Sequence, residues 1–143
     1  MTIRAIEQGD AEIAAQWWTD RGGIQDTTIP PVELPLIGCA AEDDRGPIGF
    51  AWLYLPDCGN TAFVEHLIMR PGLQVAEARA AGLAIMHGIE AAARALGFVH
   101  LAAYALPACA RFLRSAGWNV ADERPKIAIR KTLEPLPPCG QPP

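Results

Sequence analysis

The stretch that decides the fold runs from residue 61 to residue 96 and has three parts: TAFVEHLIM (61–69), the break RPG (70–72) and VAEARAAGLAIMHGIEAAARAL (75–96). The first part predicts a strand. The last predicts a long helix, because apolar residues recur at helical spacing and Gly97 is suited to end it. A strand that turns directly into a helix leaves the first backbone N–H groups of that helix unpaired, and such groups can bind an anion. This turn is therefore the predicted place for a ligand.

The predicted strand 61–69 separates its two titratable residues. Successive side chains of a strand point to opposite faces. One face is then expected to hold Phe63, Glu65, Leu67 and Met69, and the other Ala62, Val64, His66 and Ile68. Both faces are otherwise apolar, which is typical of a central strand covered on both sides. Glu65 and His66 are thus predicted to lie on opposite sides of the sheet.

Composition excludes several classes of protein. The chain has 143 residues, of which 50% are hydrophobic, and a formal net charge of -4. Its twelve basic residues form no block, so nucleic acid is not an expected partner. No apolar run approaches the ~18 residues that a membrane span needs, and MTIRAIEQGD lacks the apolar core of a signal peptide. The four cysteines form no CxxC pair, which favours reduced thiols, no metal and a cytoplasmic location.

The rest of the chain predicts one domain over residues 1–133 and a disordered, proline-rich tail over residues 134–143. The predicted elements are a strand at 2–6, a helix at 11–19 capped by Asp10, an irregular loop at 20–36, a hairpin of 37–41 with 47–55, a strand at 98–104 parallel to 61–69, a helix at 108–115 and a last hairpin of 118–121 with 126–133. Trp17 and Trp18 are adjacent, so one is expected at the edge of the helix's apolar stripe. Core packing and lining of a substrate cleft both stay open for them.

Three segments, in this order of elements, carry a resemblance to a known family. They are FVEHLIMRP (63–71), the helix end ALGF (95–98) and ACARFLRSAGW (108–118). Together they resemble the GNAT superfamily of N-acetyltransferases over nearly the whole domain. The resemblance implies an α/β (α+β) GNAT-like acyl-CoA N-acyltransferase fold: a central mixed, mostly antiparallel sheet of six to seven strands with helices on both faces. Members of the superfamily commonly dimerise, so a homodimer is possible, although nothing in the sequence requires it.

The resemblance also implies acetyl-CoA as co-substrate, with its pyrophosphate held by a Q/R-x-x-G-x-G/A motif at the start of the helix after the fourth strand. Two registers compete. One begins at Gln74 and places Glu77 and Arg79 where the motif has glycine or alanine. The other begins at Arg79 and matches the motif throughout. The implied cofactor-binding residues are Leu67, Ile68 and Met69 at the strand end, Gln74, and the later register Arg79, Ala80, Ala81, Gly82, Leu83 and Ala84.

By the same resemblance the chemistry is acetyl transfer to a primary amine of a small molecule or peptide. Glu65 is then the first candidate for the base and His66 the second. The family's acid, a tyrosine, corresponds to Leu113, so Tyr104 is the remaining phenol that can replace it. Trp17, Trp18 and Asp26 are the candidates for acceptor binding. The departures from the motif also fit an alternative, a GNAT-like scaffold without catalysis that acts as a binding or structural protein.

Overall fold

The computed structural model describes residues 1–20, 34–57, 59–104 and 107–119. Within them the chain forms five strands and three helices: β1 (Thr2–Ala5), α1 (Asp10–Asp20), β2 (Gly38–Asp43), β3 (Gly46–Tyr54), β4 (Thr61–Met69), α2 (Val75–Ala95), β5 (His100–Ala102) and α3 (Pro107–Ser115). Every predicted element up to α3 is present, with bounds shifted by a few residues. Most of the predicted last hairpin, and all of the tail, lie outside the described residues.

The strands form one mixed sheet in the order β1-β2-β3-β4-β5. β1 to β4 are antiparallel neighbours, and β5 returns parallel to β4. The expected meander and the parallel crossover through α2 are confirmed, and so is the α+β class. The described residues account for five strands, so the expected count of six to seven is not established.

Helices cover both faces of the sheet, as expected. On one face α1 packs its Ala14 and Trp17 against Phe50, Trp52 and Ile68. We call this the α1 face. On the other face, α2 and α3 pack against the sheet, and this α2 face buries Leu53, Ala62, Val64, Ile85, Met86, Ile89 and Leu113. Alternate residues of β3 thus pack into the two cores, one on each face of the sheet, and β3 is the central strand of the five.

The start of α1 differs from the prediction for Asp10. Its carboxylate is almost fully buried and accepts hydrogen bonds from Arg4 at 2.7 and 3.0 Å and from the backbone N–H of Glu7 at 2.8 Å. It therefore faces upstream residues rather than capping the N–H groups that follow it. Arg4 also donates to Glu42 on β2 at 2.8 Å. This pairing joins β1, β2 and the start of α1.

β3 and β4 approach each other closely at Gly49, as the glycine in this strand predicts. A Cβ at Gly49 would lie 2.6 Å from the sulfur of Met69 and 2.9 Å from the carbonyl oxygen of Ile68. Glycine is required here because no larger residue fits without moving the backbone of β4. The contact holds the end of β4 against β3 just before the turn into α2.

Candidate active site

Strand β4, next to the central strand, loses one of its partners halfway along. β5 pairs with it only at Thr61–His100, Ala62–Leu101 and Phe63–Ala102. β4 itself continues to Met69. Beyond Phe63 its outer backbone edge has no strand partner within the described part of the chain, because β5 ends at Ala102. Between Phe63 and Met69, backbone N–H and C=O groups on this edge are therefore not used in pairing with a described strand and can bond a ligand.

A β-bulge lies just beyond the last residue of β4 that pairs with β5. Trp52 is opposite Glu65 and Phe50 is opposite Ile68, so β4 contains one residue more than β3 over this interval. His66 takes the left-handed backbone conformation, with φ of 58°, that accommodates the extra residue. Only a few per cent of non-glycine residues have a positive φ.

The bulge overturns the predicted faces of β4. An extra residue reverses the alternation of side chains between the two faces of the sheet. Residues after His66 therefore point to the opposite face from the one that the regular alternation predicts. Leu67 and Met69 pack on the α2 face together with Val64, not opposite it. Glu65, opposite Trp52, lies on the α1 face, and His66 contacts aromatic rings on that same face. The prediction that Glu65 and His66 lie on opposite sides is wrong: the bulge brings them together.

Glu65 and His66 form a compact group with three aromatic side chains. The Oε2 atom of Glu65 lies 3.5 Å from Nε2 of His66. The imidazole meets Trp18 edge to face at 5.7 Å between ring centroids and Tyr54 at 5.9 Å. Trp18 in turn contacts Trp52 at 6.1 Å. We call these five residues the β4 cluster, and it joins α1, β3 and β4.

The two titratable members of the β4 cluster differ in exposure. The side chain of Glu65 is 37% exposed and that of His66 is 19% exposed. Burial lowers the pKa of His66 below its ordinary value, and the nearby carboxylate of Glu65 opposes this shift. His66 is therefore a neutral imidazole at neutral pH, beside a carboxylate that water and a ligand can reach.

The two tryptophans of α1 take different positions, as expected from their adjacency. Trp17 is buried and stacks on Phe50 at 5.0 Å, so it belongs to the core. Trp18 is half-buried and covers His66. Trp52 and Tyr54 were not predicted as site residues. The alternation of aromatic residues at 50, 52 and 54 was a usable signal that they share one face of β3.

The start of α2 decides between the two motif registers. The helix begins at Val75, and Ala78 N–H already bonds to the carbonyl of Gln74 at 2.9 Å. The backbone N–H of Gln74 donates to Oε2 of Glu77 at 3.1 Å. The register that begins at Gln74 is thus the one at the helix N-terminus, and a carboxylate of the protein already accepts one of the hydrogen bonds there.

The later register, Arg79 to Ala84, lies inside the helix. N–H groups in a helix interior are bonded to carbonyls four residues earlier and cannot face an anion. Gly82 has a packing role instead, since a Cβ on it would lie 3.0 Å from Cζ of Phe112 on α3. The prediction that the later register stands at the start of the helix is therefore wrong, because α2 begins at Val75 and Ala80, Ala81, Gly82, Leu83 and Ala84 lie within it.

The other predicted site residues lie apart from the β4 cluster or outside the described residues. Tyr104 follows β5 and is 71% exposed, so it is not a core residue. Leu113 is buried in the α2-face core. Asp26 lies outside the described residues. A cavity of about 520 Å³ lies near the C-terminal end of α2, with Glu90, His100 and Trp118 among its lining residues, and so is remote from the start of that helix.

Two further observations concern metals and membranes. Among the described residues no three His, Cys, Asp or Glu side chains are grouped closely enough to hold a metal ion. None of the helices in the described ranges combines the length and apolar character needed to cross a bilayer.

The fold is shared with solved acetyltransferases, although no protein-family model and no curated protein matches the chain. A Mycobacterium tuberculosis protein solved with CoA matches with a TM-score of 0.68 and 15% identity, over 90% of this chain and 77% of that one. Glucosamine-6-phosphate N-acetyltransferase from Arabidopsis thaliana gives 0.60 and 11%, over 93% and 98%. N-acetylglutamate synthase from Neisseria gonorrhoeae, solved with CoA and L-arginine, gives 0.66 and 22%, over 87% of this chain and 29% of that enzyme. The chain shares the fold of these solved proteins, and the resemblance is confirmed at the level of the fold.

Proposed function

We propose that this protein transfers an acetyl group from acetyl-CoA to a primary amine of a small molecule or peptide. The observation that carries the proposal is the bulge of β4. It brings a carboxylate and a neutral imidazole to within 3.5 Å of each other, just beyond Phe63, the last residue of β4 that pairs with β5. A non-glycine residue in the left-handed region costs energy, and such strain is concentrated at functional sites.

The β4 cluster has the groups that amine activation requires. The exposed carboxylate of Glu65 attracts a protonated amine, and the neutral imidazole of His66 takes one proton from it. The amine nitrogen then bonds to the thioester carbonyl carbon while the C–S bond breaks, and the second proton goes to the departing thiolate. Tyr104, exposed after β5, is a candidate relay for this transfer: its hydroxyl gives a proton to the thiolate, and the resulting phenolate takes the second proton of the amine. Glu65 acting as the base directly is the other assignment that the pair allows.

The walls of the β4 cluster favour an amine carried on an apolar or aromatic group. Trp18 and Tyr54 are half-buried, so part of each ring faces outward beside Glu65. Aromatic faces attract cations and pack against flat apolar groups. The charged group of the cluster is negative, which disfavours acceptors with a phosphate or a carboxylate of their own.

The described residues suit the pantetheine arm of acetyl-CoA better than its pyrophosphate. The edge of β4 beyond Phe63 pairs with no strand of the described residues and can bond the amide groups of a pantetheine arm. Leu67 and Ile68 supply that edge, and Met69 ends the strand. At the start of α2, where a pyrophosphate needs free N–H groups, the carboxylate of Glu77 already accepts the N–H of Gln74. Gln74 is the motif residue that remains there.

The test is amide formation from acetyl-CoA with a panel of amines, comparing the wild type with Glu65→Gln and His66→Asn. Asparagine tolerates the left-handed conformation of residue 66, so the bulge is preserved. We expect each variant to lower kcat by about a hundredfold or more, as loss of a general base does, while acetyl-CoA binding is retained. Equal loss of binding and turnover would show that both residues are only structural.

One observation favours a second candidate function, a GNAT-like scaffold without catalysis. Glu77 places a negative charge at the start of α2, where the co-substrate's phosphates are expected. A non-catalytic scaffold has no measurable turnover with any amine, and acetyl-CoA does not change its stability. The panel and a binding measurement together separate the two functions.

A further inference from the structure

At the N-terminus of α2, a side chain of the helix itself accepts one of the backbone N–H groups. Glu77 lies in the first turn, and its Oε2 accepts the N–H of Gln74 at 3.1 Å. Glu77, Val75 and Ala76 are all exposed. A ligand phosphate that reached the remaining N–H groups of this turn would therefore lie beside a carboxylate in water.

Two cations near this turn are already paired. Arg45 donates to Asp43 at 2.9 and 3.2 Å, and the pKa of its guanidinium is raised first by Asp43 and to a smaller extent by Glu77. Arg70 donates to the same carboxylate at 2.9 and 3.3 Å and to the carbonyl of Pro47 at 3.1 Å. Two arginines thus surround Asp43 rather than an external anion.

Like charges set the cost of bringing a diphosphate to Glu77. Two unit charges about 4 Å apart in water repel by an energy that lowers binding roughly fivefold. A diphosphate carries at least two negative charges, so the carboxylate reduces its affinity about fivefold to thirtyfold. The dipole of the helix attracts an anion to this terminus, but the negative charge of Glu77 already offsets that attraction.

We propose, on the basis of the acyl-transfer function above, that Glu77 determines donor specificity by removing the advantage of the diphosphate. The donor is then bound mainly through its pantetheine arm, along the edge of β4 beyond Phe63. The protein accepts S-acyl pantetheine thioesters about as well as the corresponding CoA thioesters. Glu77 is a specificity-determining residue and takes no part in the chemical step.

The test is calorimetric titration at low salt with acetyl-CoA and with S-acetylpantetheine, for the wild type, Glu77→Gln and Glu90→Gln. Glutamine at 77 keeps an oxygen that can accept the N–H of Gln74 and removes only the charge. Glu90→Gln makes the same charge change near the other end of α2. A glutamine-for-glutamate change of this kind leaves the fold intact, which a circular dichroism spectrum checks.

We expect the wild type to bind the two thioesters with dissociation constants within about threefold of each other, because the carboxylate cancels the attraction of the diphosphate. Glu77→Gln should tighten acetyl-CoA about fivefold to thirtyfold and leave S-acetylpantetheine unchanged, while Glu90→Gln changes neither. Wild-type binding of acetyl-CoA more than about tenfold tighter than S-acetylpantetheine would overturn the proposal. So would an equal effect of Glu77→Gln on both ligands. If no variant binds either thioester, the proposed acyl transfer itself fails, and this inference fails with it.

Discussion

Replacing His66 by glycine and by alanine tests the bulge that brings Glu65 and His66 together. His66 has φ of 58°, a conformation that costs an L-residue about 1–2 kcal/mol and costs glycine nothing. In an ordinary strand, glycine is less stable than alanine by about 0.5–1 kcal/mol. Both substitutions remove the same ring contacts with Trp18 and Tyr54. The difference predicts that His66→Gly is more stable than His66→Ala, by up to about 1.5 kcal/mol.

The assay is urea unfolding followed by tryptophan fluorescence, with equal slopes required for the comparison. Phe63 lies in the regular part of β4 and provides the matched control. There we expect the opposite order, with Phe63→Ala more stable than Phe63→Gly by about 0.5–1 kcal/mol. If His66→Ala is as stable as His66→Gly or more so, residue 66 is not left-handed, and the argument for the β4 cluster is refuted.

Three further predictions concern packing, the buried ion pair and pH. Gly82→Ala should lower the free energy of unfolding by about 0–2 kcal/mol, because crowding of Phe112 exceeds the gain in helix propensity. It should leave the affinity for acetyl-CoA unchanged. Lost affinity in a fully stable variant would contradict the packing role of Gly82. Arg4→Met should cost about 3–5 kcal/mol in urea unfolding, because the buried carboxylate of Asp10 loses its partner, and a loss below about 1 kcal/mol would argue against this pairing. Burial lowers the pKa of His66 in the folded state, so on acidification the unfolded chain binds the proton first. Wild-type stability should therefore fall as pH decreases below about 6.5, by at most about 1.4 kcal/mol per pH unit. The fall should level off below the pKa of His66 in the folded protein. Unfolding of His66→Asn at the same pH values should lack this part of the slope, and identical slopes would contradict the assignment.

The sequence predicted the strand, helix and parallel return around residues 61–102 because each depends on local periodicity. β4 is apolar on both faces, α2 repeats its apolar residues at helical spacing, and Gly97 ends the helix with φ of 86°. These signals lie within short windows, so no long-range contact is needed to interpret them.

The features that the sequence did not predict depend on contacts between elements. Nothing in TAFVEHLIM indicates an extra residue, since His66 has a side chain and the bulge is set by pairing with β3. Gly82 matched a phosphate motif because glycine also serves close helix packing, and only the position of Phe112 separates the two roles. Asp10 has a residue type suited to capping, but Arg4 on β1 binds its carboxylate.

If the protein transfers acetyl groups as proposed, a pantetheine thioester binds along the edge of β4 beyond its last pair with β5. The measurement that tests it most directly is the melting temperature of the full chain in increasing acetyl-CoA or S-acetylpantetheine, up to millimolar concentration. A ligand that binds only the folded state at about a hundred times its dissociation constant adds about 2.7 kcal/mol of stability, which for a domain of this size raises the melting temperature by about 5–10 °C. We predict a saturating rise of several degrees with at least one of the two thioesters. An unchanged melting temperature with both would show that no pantetheine thioester binds the folded protein.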